Sequence, residues 1–323
     1  MFKIIISIVA LLILFLVLSK SANLTVVNLK KAAFKTKTNP LLIGLALGFF
    51  TTLPELAVGF NAIYNDIANI SLGNIWGGIF VLFTLALGLA VVFSKKILND
   101  GKVSFVLPSF IFITISFLLA YKGKLNYLDG LIIILLYFFI VYLKFQHKRI
   151  KVDDNKSKLQ LLFQKIKMKL HLWKRDCRKE LLLVLLNVII ILIASSFIVS
   201  ITNYLLTFFN VHPFIIGLLV FSIGTNLPEL SIVIHSILSK SSELSFSYLV
   251  GSAINSVAAL GLLSLFHTFS VSIDFSFILL SIATILTLII VAIFYVTQKA
   301  FDRWEGIVLL GIYFLFIIFQ LIY

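Results

Sequence analysis

Charge is what this sequence has least of. Asp, Glu, Lys and Arg together make up 12% of its 323 residues, about half the share of an ordinary soluble domain. That shortage excludes a typical water-soluble protein. The scarcity is uneven, with 13 acidic residues against 27 basic ones. Cysteine occurs once, at Cys177, so an intramolecular disulfide is excluded. There is no metalloprotease helix motif, no Ser/His dyad signature and no pair of aspartates in an intramembrane protease motif, so nothing points to an enzyme. Nothing points to nucleic acid or to a cofactor either. Proline occurs five times. Two of these, Pro54 and Pro228, stand inside apolar runs and are each followed by a glutamate.

What fills the chain is hydrocarbon: 61% of its residues are hydrophobic and the mean hydropathy is +1.13. A helix needs about 20 mostly apolar residues to cross a bilayer core. Ten segments meet this measure, near 2–19, 41–64, 70–94, 103–121, 126–143, 181–208, 213–238, 244–266, 273–296 and 304–323. The first could pass for a signal peptide, but it lacks a convincing small-residue cleavage site and is read as a span.

The positive charge is concentrated. Segment 144–180 holds thirteen Lys and Arg residues against Asp153, Asp154, Asp176 and Glu180. Short cytoplasmic loops collect Lys and Arg, which puts this loop in the cytoplasm of a cell membrane. Counting outward, the lysine-bearing linkers after spans one, three and nine are also internal, and both termini are external. Within the loop, Leu159, Leu162, Phe163, Ile166, Leu170 and Trp173 recur at helical spacing among lysines. That pattern predicts a basic amphipathic helix on the anionic inner leaflet.

The halves repeat. "NPLLIGLALGFFTTLPEL" (39–56) matches "HPFIIGLLVFSIGTNLPEL" (212–230), "LGNIWGGIFVL" (72–82) pairs with "VGSAINSVAAL" (250–260), and "YLDGLIIILLYF" (127–138) with "RWEGIVLLGIYF" (303–314). The order is kept and the offsets stay between 174 and 178 residues. Residues 1–143 and 181–323 are thus two five-span repeats flanking the 144–180 loop. Five is odd, so the second repeat enters the membrane from the other side, an arrangement frequent in secondary transporters. Asp129 and Glu305 open spans five and ten, where a helix N-terminus favours a carboxylate.

Glu55 and Glu229 fall at equivalent places in spans two and seven. Each follows Leu-Pro, and a proline leaves a carbonyl of the preceding turn without its helical donor. Such backbone is tolerated at membrane depth only inside protein or beside a wet cavity. Each copy therefore combines freed carbonyls, hydroxyl or amide side chains (Thr51 and Thr52; Thr225 and Asn226) and a carboxylate within one turn. An all-oxygen set with two formal negative charges suits a hard cation, calcium in particular. His235 lies about a turn and a half beyond Glu229, off this cluster. Intramembrane acids are functional candidates by default.

At these residues the chain resembles the calcium/cation antiporter superfamily, and its sodium/calcium exchanger branch most closely. The family's paired motifs look like G-T-S-L-P-E and G-N-x-I-G-S-x-x-x-N/D. Here they read F-T-T-L-P-E with G-N-I-W-G-G-I-F-V-L, and G-T-N-L-P-E with G-S-A-I-N-S-V-A-A-L. The resemblance implies an all-α membrane protein of ten transmembrane helices in two inverted repeats, with alternating access. It implies calcium bound by Glu55, Glu229, Thr51 and Thr225, with Thr52, Asn226 and Ser256 in flanking ion sites, Ser256 grouped with Glu229 and Asn226.

The departures from the pattern bear on coupling. Gly78 stands where span three of the family has serine, Leu82 and Leu260 replace its polar pair, and Asn255 replaces a glycine. Gly44 precedes Thr51 by seven residues, whereas Gly217 precedes Thr225 by eight. The expected activity is calcium antiport, with calcium and sodium or protons as cargo rather than cofactors. A proton-coupled calcium/cation exchanger with reduced or absent sodium sites, a passive channel and a non-transporting homologue are the alternatives. Two close carboxylates cannot both be charged cheaply without a cation between them, so proton uptake on calcium release is natural.

Overall fold

The protein is described by a computed structural model covering residues 2–35, 40–93, 103–146, 177–239, 246–297 and 300–322. The predicted amphipathic helix at 159–173 lies outside these residues. Helix occupies each of the ten apolar segments. In chain order, the first half runs α1 (Phe2–Lys35), α2 (Pro40–Thr51), α3 (Leu53–Tyr64), α4 (Asn69–Val81), a π turn at Leu82–Ala86, α5 (Leu87–Phe93), α6 (Val103–Ala120) and α7 (Tyr127–Gln146). The second half runs α8 (Arg178–Phe209), α9 (Pro213–Ile216), a π turn at Gly217–Phe221, α10 (Ser222–Thr225), α11 (Leu227–Ser239), α12 (Phe246–Phe266), α13 (Phe275–Thr297) and α14 (Arg303–Ile322).

Among the described residues, seven helices are long and apolar enough to cross a membrane, eight if the bent pair 213–225 and 227–235 is one span. The chain is therefore a multi-pass membrane protein. Tyr127–Leu143 is a shorter apolar helix.

The first helix is longer than its apolar core. At 34 residues, with α8 at 32, each is about 50 Å long at ~1.5 Å per residue. This exceeds the hydrocarbon thickness, so such helices must tilt or protrude. Polar side chains do not stop α1, because they bond back to their own helix. Thr25 Oγ1 donates to the Ser21 carbonyl at 2.9 Å and Asn28 Nδ2 to the Leu24 carbonyl at 2.8 Å. The two long helices pack side by side, and Lys35 at the end of α1 meets Glu180 at the start of α8 at 3.0 Å. They are therefore antiparallel. Buried Cys177 sits beside this contact, 3.9 Å from the Ala32 carbonyl.

Glycines set where the other helices cross. A Cβ on Gly73 of α4 would come within 2.1 Å of the Phe214 carbonyl oxygen, and one on Gly217 within 2.2 Å of the Ile70 carbonyl oxygen. These two backbones touch, as small residues allow in membranes. A Cβ on Gly130 of α7 would lie 2.6 Å from the Gly261 carbonyl oxygen of α12, and one on Gly88 of α5 would lie 3.1 Å from the Gly306 carbonyl oxygen of α14. The last two crossings involve corresponding elements of the two halves. Trp76 fills the centre of α4's packing face. It is fully buried, stacks on Phe117 with ring centroids 5.0 Å apart and donates Nε1–H to Ser116 Oγ at 3.2 Å.

The expected starts of α7 and α14 are found as helix caps. Asn126 Oδ1 accepts from the Asp129 backbone N–H at 3.2 Å, while Asp129 Oδ2 accepts from the Asn126 N–H at 2.8 Å. This reciprocal pair is a capping box, and Lys122 adds an ion pair to Asp129. Glu305 Oε2 accepts from the Asp302 N–H at 2.8 Å in the same way. A short antiparallel pairing of Lys124–Leu125 with Phe269–Ser270 ties the chain before α7 to the chain after α12.

Gly73→Ala and Gly217→Ala are each expected to cost about 1–3 kcal/mol through overpacking against backbone. Gly311→Ala, at an exposed position where an added Cβ meets nothing within 4 Å, should be neutral or mildly stabilising. Thermal unfolding midpoints in detergent check both.

Candidate functional site

Both Leu-Pro-Glu stretches break their helices in the same manner. A single residue separates the flanking helices, Thr52 at φ −90° and ψ 4° and Asn226 at φ −91° and ψ 9°. These two residues are equivalent in the sequence repeat. Pro54 and Pro228 then occupy the second position of the new helix, where a missing N–H costs little. By the same token they offer no donor to the carbonyls of Phe50 and Gly224. Helical bonding resumes with Leu56 N–H to the Thr52 carbonyl and Leu230 N–H to the Asn226 carbonyl, each at 3.0 Å. The second break bends by 43°.

The one-residue difference upstream of the motifs has a structural form. Residues 40–51 make an uninterrupted α-helix, whereas the second copy absorbs its extra residue as the π turn at Gly217–Phe221. π-bulges often mark functional segments. Phe50 against Gly224 is a further difference between the copies. A Cβ on Gly224 would fall 2.4 Å from the Phe15 ring, so the glycine makes room for α1 to lie against this break.

Each break starts a helix whose first turn carries a glutamate. Glu55 and Glu229 are both 4% exposed, and each bears on the other side of the site through α12. Ser256 Oγ donates to Glu55 Oε1 at 3.1 Å, and Ser252 Oγ donates to Glu229 Oε1 at 2.9 Å. The two serines are one turn apart on one face of α12, so a single helix holds both carboxylates. Glu229 is close enough for its charge to act on Glu55, and Tyr248, one turn before Ser252, lies within electrostatic range of both. Neither glutamate takes part in the ion pairs found among the described residues, which are Lys35–Glu180 and Lys122–Asp129.

The remaining predicted residues lie around these breaks. Thr225 and Asn226 are buried, as is Thr52, while Thr51 is partly exposed. Thr51 Oγ1 donates to the Gly48 carbonyl at 2.8 Å and Thr52 Oγ1 to the Phe49 carbonyl at 3.0 Å. Both hydroxyls of the first copy are thus turned back on their own helix. Asn226 Nδ2 donates to the Ser222 carbonyl at 2.8 Å, and its Oδ1 is buried without a partner among the described residues. Glu55 Oε2 is likewise buried and unpartnered. The carboxylate oxygen can be satisfied by a proton or a cation and the amide oxygen by a donor or a cation, and a buried acceptor left unpaired is costly.

Ser252 and Asn74 were not singled out in the sequence. Ser252 takes Glu229, and Ser256, grouped with Glu229 from the motif, bonds Glu55 instead. Repeat position alone held the signal, since Asn74 and Ser252 are equivalent and both follow a glycine. Thr225 Oγ1 lies 2.8 Å from Asn74 Oδ1 and 3.0 Å from the Phe221 carbonyl oxygen, and Asn74 Nδ2 has no partner among the described residues. One hydroxyl hydrogen cannot serve two acceptors. With the amide turned over, Asn74 donates to Thr225, Thr225 donates to Phe221, and an amide oxygen is left open instead.

His235 is exposed, off the cluster as expected. Leu82 and Leu260 are wholly buried in the hydrophobic core. Asn255, in the place of a family glycine, accepts from the Tyr137 hydroxyl at 3.1 Å and packs against Gly48. Among the described residues there is no group of three or more His, Cys, Asp or Glu side chains that could hold a metal ion. A surface cleft lined by Asp66, Asn69, Pro213 and His267 includes none of them.

Known proteins share the fold and the family of this chain. The chain is 23% identical over 275 residues to the uncharacterized membrane protein MJ0091 of Methanocaldococcus jannaschii, covering 83% of this chain and 82% of that one. It is 25% identical over 228 residues to the inner membrane protein YrbG of Escherichia coli K12, covering 69% and 68%. Its fold is similar to solved structures of the sodium-calcium exchanger NCX_Mj, with a TM-score of 0.63 at 19% identity over 97% of this chain and 98% of that one. It is also similar to the H+/Ca2+ exchanger CAX, with a TM-score of 0.72 at 17% identity over 98% and 82%. The sodium/calcium exchanger protein family matches residues 6–146 and 179–322, nearly the whole chain outside the basic loop, and the chain belongs to that family.

Proposed function

We propose that the protein is a secondary active antiporter that moves calcium across the membrane in exchange for sodium or protons. The observation that carries this reading is the carboxylate pair itself. Glu55 and Glu229 are buried in apolar helices, have no basic partner among the described residues and are steadied by serines of one helix, with acceptor oxygens beside them. A hard cation satisfies such a set, and calcium accepts mixed carboxylate, carbonyl, amide and hydroxyl oxygens. Thr51 and Thr225 add carbonyl oxygen at the breaks, and Thr52, Asn226 and Ser256 border the ion positions.

In this reading the ten apolar segments are ten spans in two inverted five-helix repeats, residues 1–143 and 181–323. Both termini are external and the 144–180 loop is cytoplasmic, resting on anionic lipid. The corresponding glycine crossings of α5 with α14 and of α7 with α12 support the repeat. Alternating access follows from ions held between two halves that enter from opposite sides. The bound ions are cargo, and the reading assigns no cofactor and no enzymatic step.

Proton coupling is the second reading, and the burial of Leu82 and Leu260 in the core favours it. Hydrocarbon there, with no hydroxyl at Gly78, leaves fewer oxygens for sodium than the family pattern has. When calcium leaves, protons can take over the neutralisation of the carboxylates.

Proteoliposomes separate the two readings. Calcium uptake should occur with an outward sodium gradient or with an outward proton gradient, each imposed alone. Uptake on the pH gradient with sodium absent would rule out obligatory sodium coupling, and conduction far above carrier turnover would instead indicate a channel. Glu55→Gln and Glu229→Gln should each abolish uptake, since an amide keeps the shape and removes the charge.

The serines act one step further out. Ser252→Ala and Ser256→Ala each remove a hydrogen bond to a charged group, about 1.5–3 kcal/mol. The apparent affinity for calcium should weaken by roughly tenfold or more while the protein remains folded, as read from the calcium dependence of uptake.

A further inference from the structure

We propose that Gly78 is a positioning residue of the cation site: by carrying no side chain it lets the Asn226 carboxamide lie across against α4, with its Oδ1 held out as a ligand. The proposal rests on the two-glutamate cation reading above and adds what shapes one side of that site.

The geometry is narrow. A Cβ on Gly78 would stand 2.6 Å from Asn226 Nδ2, closer than carbon and nitrogen can approach. Nδ2 cannot yield freely, because it donates to the Ser222 carbonyl at 2.8 Å. Moving it breaks that bond and swings Oδ1 away. Asn226 is 1% exposed, and Oδ1 has no partner among the described residues. The vacant side chain at Gly78 and the outward amide oxygen are therefore one feature, contributed by two helices.

The other copy solves the same space in reverse. Ser256 is the repeat equivalent of Gly78, and Thr52 that of Asn226. There the neighbouring helix supplies the polar group, Ser256 donating to Glu55, while Thr52 turns back on the Phe49 carbonyl. So one copy fills its space from α12 and the other from the helix break. The chemistry differs accordingly. A serine hydroxyl donates as well as accepts, whereas an amide oxygen only accepts. The Asn226 side can face a metal cation or a protonated carboxyl group, and Oδ1 cannot stabilise a bare carboxylate by donation.

The test uses purified full-length protein and calcium as the probe, read as the calcium concentration that half-saturates the shift in thermal midpoint. Gly78→Ala should raise that concentration roughly 10–100-fold, the range for residues that orient a metal ligand. Its midpoint in chelator should fall by no more than about 5 °C, so that the affinity is read on folded protein. Gly78→Ser should lose affinity alone and recover most of it in Gly78→Ser/Asn226→Ser, a strongly non-additive pair. Parental calcium dependence in Gly78→Ala, or additive effects in the double variant, would overturn the proposal. If Gly78→Ala does not fold, Gly78→Ala in the Asn226→Ser background should fold and bind calcium as Asn226→Ser does, and a failure there overturns it as well. A parent without any calcium response sinks the two-glutamate reading and the pairing together, whereas a responsive parent beside an indifferent Gly78→Ala sinks the pairing alone.

Discussion

The rest of the structure answers to two carboxylates placed where charge is most expensive. Glu55 and Glu229 are buried in helices built of hydrocarbon, and the ion pairs found among the described residues lie elsewhere, at helix ends. An isolated anion at such depth costs too much to persist, so the pair must share protons or a cation. The surroundings make sense as the means of holding that pair still while leaving its oxygens open. Single-residue breaks start the helices whose first turns carry the acids, and two serines of α12 fix one oxygen of each.

Rigid packing around the pair comes from close backbone approach rather than from side-chain bulk. At the crossing of Gly73 with Gly217, α4 lies against the π turn that precedes the second break. A shift in either backbone would therefore be felt at Thr225, which bonds Asn74 one residue beyond Gly73. At the opposite extreme, the long antiparallel helices α1 and α8 meet the core through rings and small residues, as where Phe15 rests on Gly224. This contact touches the second break, while the first has Phe50 in the corresponding place. The two copies thus share a scaffold and differ in what presses on it.

Much of this could be read without coordinates. Helix occupies each predicted apolar segment because apolar length and period dictate it, and the caps at Asp129 and Glu305 followed from acids at helix starts. The proline-glutamate pairs marked the breaks because proline has no N–H to give. Other features were hidden. That spans one and six run on into polar flanks was expected, but not the means in α1, where polar side chains bond back to their own helix carbonyls. The extra residue before Thr225 was visible as a spacing, but only the backbone shows that it becomes a π turn.

A membrane protein with a duplicated pattern and two acids in matching breaks is legible in the sequence, because each of these is a local property of composition or spacing. Which oxygen meets which partner is settled by the packing of the helices. Ser252 reaches Glu229, Ser256 reaches Glu55, Asn74 turns to Thr225, and the Asn226 amide occupies the space beside Gly78. Those pairings depend on how helices distant in the chain cross, at distances of a few ångströms. No periodicity in one segment encodes them, since each requires the backbone of another.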